Sequence, residues 1–150
     1  MIALFMLLSK SDQMIHNSNY IVKISNPAQA HEIFWKRVYY PKLRRSWTRG
    51  SKLIFITKRN SEDVFIGLGK IKANYDLSLL DHNERKICIQ NNVYSKIIFD
   101  TMVRFFPAIV TRDVKIISFD RREGPLLDGA YLSDLEVTNI EGLAKVMIIS

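Results

Sequence analysis

The stretch GSKLIFITKRNSEDVFIGLGKI, residues 50–71, decides the fold. It contains two apolar runs that are rich in β-branched and aromatic residues and are separated by a polar segment. Such runs are typical of paired strands, so we predict a strand over Lys52–Lys58, a hairpin connection over Arg59–Asp63 and a return strand over Val64–Ile71. Because the first strand has apolar residues on both of its faces, we expect it to lie in the centre of a sheet.

Gly67 and Gly69 lie two residues apart, and therefore on the same face of the return strand. A glycine within a strand marks either a place where another backbone or a ligand comes close, or a bulge or tight bend at a barrel corner. Both interpretations stay open from the sequence.

The residues before this hairpin predict a strand and a helix. Tyr20–Ser25 is rich in β-branched residues and is predicted to be the first strand. Asn26 is a good N-cap and Pro27 suits the first helical position, so a helix is expected to run from there to about Arg37. The segment 39–50 shows neither a helical nor a strand period and is predicted to be a structured loop.

The residues after the hairpin predict mixed elements. A short helix or turn is expected over 76–85, with Asp81 near a boundary, and a strand over 114–119. Residues 94–105 fit a helical face, which we prefer, although a strand is also compatible. The capping box Ser133–Glu136 predicts a helix to about Glu141, stopped by Gly142, followed by a last strand over 144–149. This order predicts a small, mostly antiparallel β barrel with helices packed at its ends.

The positive charge is concentrated in residues 35–59. Nine of the 22 Lys and Arg residues lie there, with no Asp or Glu, whereas the chain as a whole has 15 acidic residues and a net charge of +7. Trp35, Tyr39, Tyr40 and Trp47 are set among these cations. Cations neutralise phosphates and flat rings stack on unpaired bases, so the pattern favours a nucleic-acid partner over a membrane. A solvated loop explains the charge alone equally well.

The sequence contains no nucleotide-binding, hydrolase or metalloprotease motif. Cys88 is the single cysteine and the three histidines are scattered, so we expect no disulfide, metal or cofactor and a reducing, cytoplasmic location. The opening MIALFMLLSK is too short to span a bilayer. We expect residues 1–18 to be an N-terminal extension that can mediate self-association, and residues 19–150 to be a single domain.

These elements resemble the PUA-like superfamily, which includes PUA, ASCH, EVE and YTH domains. The resemblance rests on the first strand, a helix ending in Phe34-Trp35, a basic aromatic connection through Trp47, and the strands Gly50–Ile56 and Val64–Ile71. The sequence is similar to EVE domains in placing a Trp before a Gly-containing turn, although Ser51 stands where EVE domains usually have an acidic residue. It covers about residues 19–76. The segments 105–107 and 119–133 also resemble an archaeal branch of the superfamily.

The resemblance implies an α+β pseudo-barrel that binds RNA, or a modified or flipped base in DNA, in a cleft beside the first helix. By their positions in the resemblance, Trp35 and Trp47 would stack on bases, and Arg45 and Arg49 would contact the nucleic-acid backbone. We therefore predict a non-catalytic nucleic-acid-binding domain, with RNA preferred over DNA. The predicted binding residues are Trp35, Lys36, Tyr39, Tyr40, Lys42, Arg44, Arg45, Trp47, Arg49, Arg121, Arg122 and Tyr131.

Two alternatives stay open. One is a hydrolase acting on modified nucleosides, with Lys36 as the candidate base or nucleophile, although the ASCH pattern G-x-K-x-x-E-x-R is not reproduced around Lys36. The other is a protein-interaction module that docks through the apolar N-terminus.

Overall fold

The computed structural model describes residues 19–114 and 128–149. The strands are β1 (Asn19–Lys23), β2 (Val38–Tyr39), β3 (Lys52–Arg59), β4 (Glu62–Asp76), β5 (Ser95–Val110) and β6 (Tyr131–Leu132). The helices are α1 (Pro27–Lys36), α2 (His82–Gln90) and α3 (Asp134–Ile149), with short 3-10 turns at Leu77–Leu79 and Thr111–Asp113. The predicted strand over 114–119, Arg121, Arg122 and the extension 1–18 fall wholly or mainly outside the described residues.

The six strands form one sheet in the order β2-β5-β4-β3-β1-β6. Among the described strands only β1 and β3 pair in parallel, and the other four pairings are antiparallel. In the described part of the chain the two edge strands β2 and β6 do not pair with each other, so the sheet is not closed. The predicted α+β, mostly antiparallel pseudo-barrel is thereby confirmed.

The hairpin of β3 and β4 lies at the centre of this sheet, as predicted. Leu53–Thr57 are all buried, because β3 contributes side chains to the cores on both faces of the sheet. The turn between the strands is the pair Asn60-Ser61, at φ values of 51° and 65°. Positive φ at both central residues gives a turn whose twist matches the strands.

A helix packs on each face of the sheet. The core on one face contains Ala30 and Ile33 of α1, and the core on the other contains Val137, Ile140 and Ala144 of α3. The N-terminus of α1 is capped as predicted, since Asn26 Oδ1 accepts a hydrogen bond of 2.9 Å from the Ala28 N–H. The cores hold α1 and the residues that follow it against the edge of β5.

Both interpretations of the paired glycines are correct. A Cβ atom on Gly67 would lie 2.3 Å from the Val103 carbonyl oxygen and 2.6 Å from the Phe34 ring, and one on Gly69 would lie 2.6 Å from the Phe99 ring. The β4–β5 register also shifts between Phe65 and Gly67. Close approach and a bulge therefore occur together.

Two predictions downstream are wrong. Residues 95–110 form strand β5, not a helix, and the buried side chains Ser95, Ile97 and Phe99 alternate as a strand requires. The segment 144–149 continues α3 instead of forming a last strand. The predicted capping box is present, with Glu136 N–H donating to Ser133 Oγ at 3.2 Å. The helix continues through Gly142 because one glycine costs a helix only about 1 kcal/mol, and Ala144 beyond it is buried in the core.

Among the described residues, the helices are all too short or too polar to cross a membrane.

Candidate nucleic-acid interface

The predicted basic stretch, residues 35–59, is divided among the end of α1, the loop between β2 and β3, and strand β3. Lys52 and Arg59 are the two ends of the eight-residue strand β3, so their Cα atoms lie about 23 Å apart. Lys52 is also paired, with its Nζ 2.8 Å from Glu141 Oε1. The candidate interface therefore narrows to residues 42–49 between β2 and β3, which we call the basic loop.

The basic loop is fixed by hydrogen bonds at both ends and by a buried ring near its centre. The Pro41 carbonyl accepts from the Tyr94 N–H at 3.2 Å, and the Gly50 N–H donates to the Ile71 carbonyl at 2.8 Å. Trp47 is only 5% exposed, and its indole N–H donates to the Leu43 carbonyl at 3.3 Å. The position of the loop is therefore set by the sheet beneath it, and Trp47 serves as its internal support.

Two arginines of the basic loop lie over tyrosine rings. The Arg45 guanidinium carbon is 4.4 Å from the centroid of the Tyr20 ring, and that of Arg44 is 5.2 Å from the centroid of the Tyr94 ring. Cation–π contacts of this kind restrain a guanidinium without neutralising its charge. Within the described residues Lys42, Arg44, Arg45 and Arg49 form no ion pair with an acidic side chain.

On one side of the basic loop lies a cleft of about 1050 Å³, which we call the helix cleft. It lies between α1 and α2 and is lined by Gln29, Tyr40, Lys42, Asn83, Glu84 and Lys96, among others. A smaller cavity of about 400 Å³ extends it along α1 and shares Gln29, Tyr40 and Lys96. The cleft beside the first helix is where the family resemblance implies that a base binds.

A three-residue network crosses the helix cleft. Glu84 Oε2 accepts a hydrogen bond of 2.6 Å from the Tyr40 hydroxyl and lies 2.8 Å from Lys96 Nζ. The hydrogen bonds from Lys96 and Tyr40 lower the pKa of Glu84. Burial, followed by the hydrogen bond to Glu84, raises the pKa of Tyr40. The cleft therefore presents an ionised carboxylate, a cation and a neutral phenol.

A second cavity, of about 280 Å³, is lined by residues within 43–47 of the basic loop, and we call it the loop cavity. One wall is formed by Leu43, Arg44, Arg45 and Trp47 of the loop, and the other by Asn74, Asp76, Tyr94 and Ser95 at the ends of β4 and β5. It thus combines apolar rings, polar side chains and cations in one small space.

Of the remaining predicted site residues, Lys36 and Tyr39 line the smaller cavity that extends the helix cleft. Trp35 is 80% exposed at the end of α1 and lies on the wall of neither the helix cleft nor the loop cavity. Lys36 is paired with Glu32, 2.6 Å away. Tyr39 packs edge-on against Phe55, with ring centroids 6.1 Å apart, and burial raises the pKa of its hydroxyl. Tyr131 packs edge-on against Tyr20, 6.2 Å away.

The sequence prediction missed the residues that β4, α2 and β5 contribute to the two cavities. They include Asn74, Asp76, Asn83, Glu84, Ser95 and Lys96, and Tyr94 directly before β5 was missed as well. Pro107, which a helix interior disfavours, and the alternation of Ser95, Ile97 and Phe99 were the available signals that residues 95–110 form a strand. A strand there would have brought Ser95 and Lys96 to the end of the sheet beside the basic loop.

No protein-family model matches the sequence, and no curated protein matches it. Solved structures do match. An ASCH protein from Zymomonas mobilis is 11% identical, covering 83% of this chain and 94% of its own, with a TM-score of 0.58. The YTH domain of Zygosaccharomyces rouxii MRB1, solved in complex with N6-methyladenosine RNA, is 13% identical, covering 86% and 87%, with a TM-score of 0.56. The Mmi1 YTH domain is 10% identical, covering 90% and 92%, with a TM-score of 0.57. The chain therefore has the PUA-like fold, which ASCH and YTH domains share.

Proposed function

We propose that this protein is a nucleic-acid-binding domain that holds an unpaired strand, RNA in preference to DNA, across the basic loop. The observation that carries the proposal is the set of cations in this loop. Arg44 and Arg45 are restrained over tyrosine rings and line the loop cavity, and Lys42 lines the helix cleft. None of the four cations has an acidic partner in the described residues.

The charge of the basic loop suits the phosphate backbone. Each phosphate that a Lys or Arg neutralises releases condensed counterions, which makes binding favourable and dependent on salt. Lys42, Arg44 and Arg49 are exposed, so a strand can reach them without a change in the fold. A restrained loop also loses less conformational entropy on binding than a mobile one.

The helix cleft suits a single extruded base. Tyr40, 37% exposed, offers an aromatic ring, and Gln29, Asn83 and Glu84 offer hydrogen-bonding groups for a base edge. A cleft of about 1050 Å³ has room for a base that carries an added group. YTH domains of the same fold have been solved with N6-methyladenosine RNA and with m6A, which supports RNA and a modified base as the ligand.

The salt dependence of RNA binding tests this proposal. We expect the triple variant Lys42→Ala, Arg44→Ala and Arg49→Ala to bind an unstructured RNA more weakly, and the slope of log K against log salt to become shallower by about 2, at roughly 0.7 per phosphate contact on a single strand. The matched control removes Lys58 and Arg59, which belong to the same basic stretch but lie at the far end of β3.

If the control variant lost as much slope per removed charge as the triple variant, the charge would act as a general attraction and the basic loop would not be the interface. If the wild-type protein bound neither RNA nor DNA at low salt, the proposed function would be wrong.

A further inference from the structure

We propose that the loop cavity is a nucleotide pocket that prefers bases carrying an amino group, namely guanine, cytosine and adenine, over uracil. This inference rests on the proposed function and deepens it, because it assigns a second base-binding position and a base preference to the strand that crosses the basic loop.

The polar wall of the loop cavity is a product of strand register. Asn74 and Asp76 are two residues apart in β4 and therefore point to the same face. Ser95 pairs directly with Asp76 across the β4–β5 ladder, which places it on that face as well. All three line the cavity opposite the apolar side chains Leu43 and Trp47. The arrangement suits a flat ligand with one polar edge.

The hydroxyl of Ser95 is the independent sign of a ligand. Ser95 is only 7% exposed, and within the described residues its Oγ has no hydrogen-bond partner. Buried polar groups in proteins are almost always paired, and an unpaired one destabilises the empty protein. A ligand edge that reaches into the loop cavity would supply the missing hydrogen bond.

The preference for amino-bearing bases follows from Asp76 and Asn74. Asp76 Oδ1 accepts a hydrogen bond of 2.9 Å from the Ser78 N–H, which lowers the pKa of this carboxyl and keeps it ionised. An ionised carboxylate only accepts hydrogen bonds, so it matches an amino group. The Asn74 amide can donate to the ring nitrogen or carbonyl beside that amino group. Uracil has no amino group, and the carbonyls on both sides of its single N–H would repel the carboxylate.

Arg44 and Arg45 extend the pocket from a base to a nucleotide. Both guanidinium groups line the loop cavity and are restrained over Tyr94 and Tyr20. A phosphate attached to a base in the pocket would therefore meet two cations that are already positioned.

Calorimetry on the full chain tests the inference by measuring the binding of four free nucleotides: GMP, AMP, CMP and UMP. We expect the three amino-bearing nucleotides to bind about fivefold or more tightly than UMP, the discrimination typical of a good polar pairing. The Asp76→Asn variant should lose this preference. It should still fold, because Asn is as good a cap as Asp for the turn that Asp76 begins.

The Ser95→Ala variant separates a ligand-binding role from a structural one. Removing an unpaired buried hydroxyl should leave the melting temperature of the ligand-free protein unchanged or higher while weakening GMP binding. The matched control is Thr57→Val, since Thr57 is buried and its hydroxyl does have a partner, the Ile24 carbonyl at 2.7 Å. That variant should lose stability and keep its preference for GMP over UMP.

The two proposals fail in different ways. If RNA bound but GMP and UMP bound equally, or neither bound, the loop cavity would not be a nucleotide pocket and the proposed function would stand. If the mononucleotides bound with the expected preference but no RNA or DNA bound, the pocket would stand and the proposed function would be wrong. A Ser95→Ala variant that lost stability and kept full GMP affinity would overturn the role of its hydroxyl.

Discussion

Replacing Gly67 by alanine tests how closely α1 must lie against the sheet for the helix cleft to form. The added Cβ atom would lie 2.3 Å from the Val103 carbonyl oxygen and 2.6 Å from the Phe34 ring, and real Cβ atoms essentially never come within 3.0 Å of another atom. The Val103 carbonyl oxygen belongs to the backbone of β5, which pairs with β4. It therefore cannot move aside without breaking hydrogen bonds of the sheet. Phe34 is held by α1 and by its edge contact with Phe55.

Overpacking a core with one extra carbon costs about 1–3 kcal/mol. Because one of the two blocking atoms is backbone, we expect Gly67→Ala to lower the free energy of unfolding by about 3 kcal/mol. For a chain of this length each kcal/mol of lost unfolding free energy lowers the midpoint of thermal unfolding by roughly 2–4 °C, so this midpoint should fall by about 6–12 °C. Urea denaturation measures the free energy of unfolding and thermal denaturation measures the midpoint, with circular dichroism as the signal in both.

The matched control is Gly142→Ala. Gly142 lies within α3 with nothing within 4 Å, so alanine should stabilise the protein by up to about 1 kcal/mol through its better helix propensity. Equal effects of the two substitutions, or a loss below about 0.5 kcal/mol for Gly67→Ala, would refute the close packing of α1, β4 and β5 on which the position of the cleft depends.

Two further predictions concern side chains of the interface. Trp47→Ala should lower the free energy of unfolding by about 3–5 kcal/mol because the ring is buried under the basic loop. Trp35→Ala should change it by no more than about 0.5 kcal/mol because Trp35 is exposed. Equal losses of the two variants in urea denaturation would contradict this difference. Glu84→Gln should cost about 1 kcal/mol at neutral pH. The pKa of Glu84 is lowered in the folded protein, so its stabilisation is present above its unfolded pKa, about 4.3, and is lost as the pH falls through the lower folded value. The two proteins should therefore converge in stability in acid, and a difference that persisted there would not come from the ionised carboxylate.

The centre of the fold could be predicted because its local signals agree with its tertiary contacts. Strand β3 is apolar on both faces since both faces are covered, and the polar turn at Asn60 and Ser61 joins it to its partner. Asn26 and the Ser133 capping box mark helix starts that need no tertiary information. The family resemblance, drawn from the same residues, named a fold that the structure has.

Strand β5 was predicted as a helix because the side of the strand that faces the core changes partway along. Ile97 and Phe99 pack in the core under α1, and so does Met102, which is an odd number of residues further on. The register with β4 shifts at this point, between the pairs Lys70–Thr101 and Ile71–Phe99. Such a shift breaks the two-residue alternation of a strand and produces spacings of three and four residues, which imitate a helix.

The interface was predicted only in part because the basic loop has no regular period. A segment without a period gives no information on which ring is buried, so Trp35 and Trp47 could not be told apart, although the structure leaves one exposed and buries the other. The polar wall of the loop cavity depends on the pairing of Asp76 with Ser95. A long-range pairing of this kind is determined by strand register and is not encoded in either segment alone.

The most direct test of the central claim is a nuclear magnetic resonance titration of the full chain with an unstructured RNA. The proposed interface predicts that the largest amide shifts fall in the basic loop, residues 42–49, in the helix cleft at residues 40 and 82–84, and in the adjoining ends of β4 and β5, residues 74–76 and 94–96. The β3–β4 turn, residues 58–62, should show little change, although Lys58 and Arg59 are equally basic. Shifts concentrated in that turn, or spread evenly over all exposed Lys and Arg residues, would contradict the account.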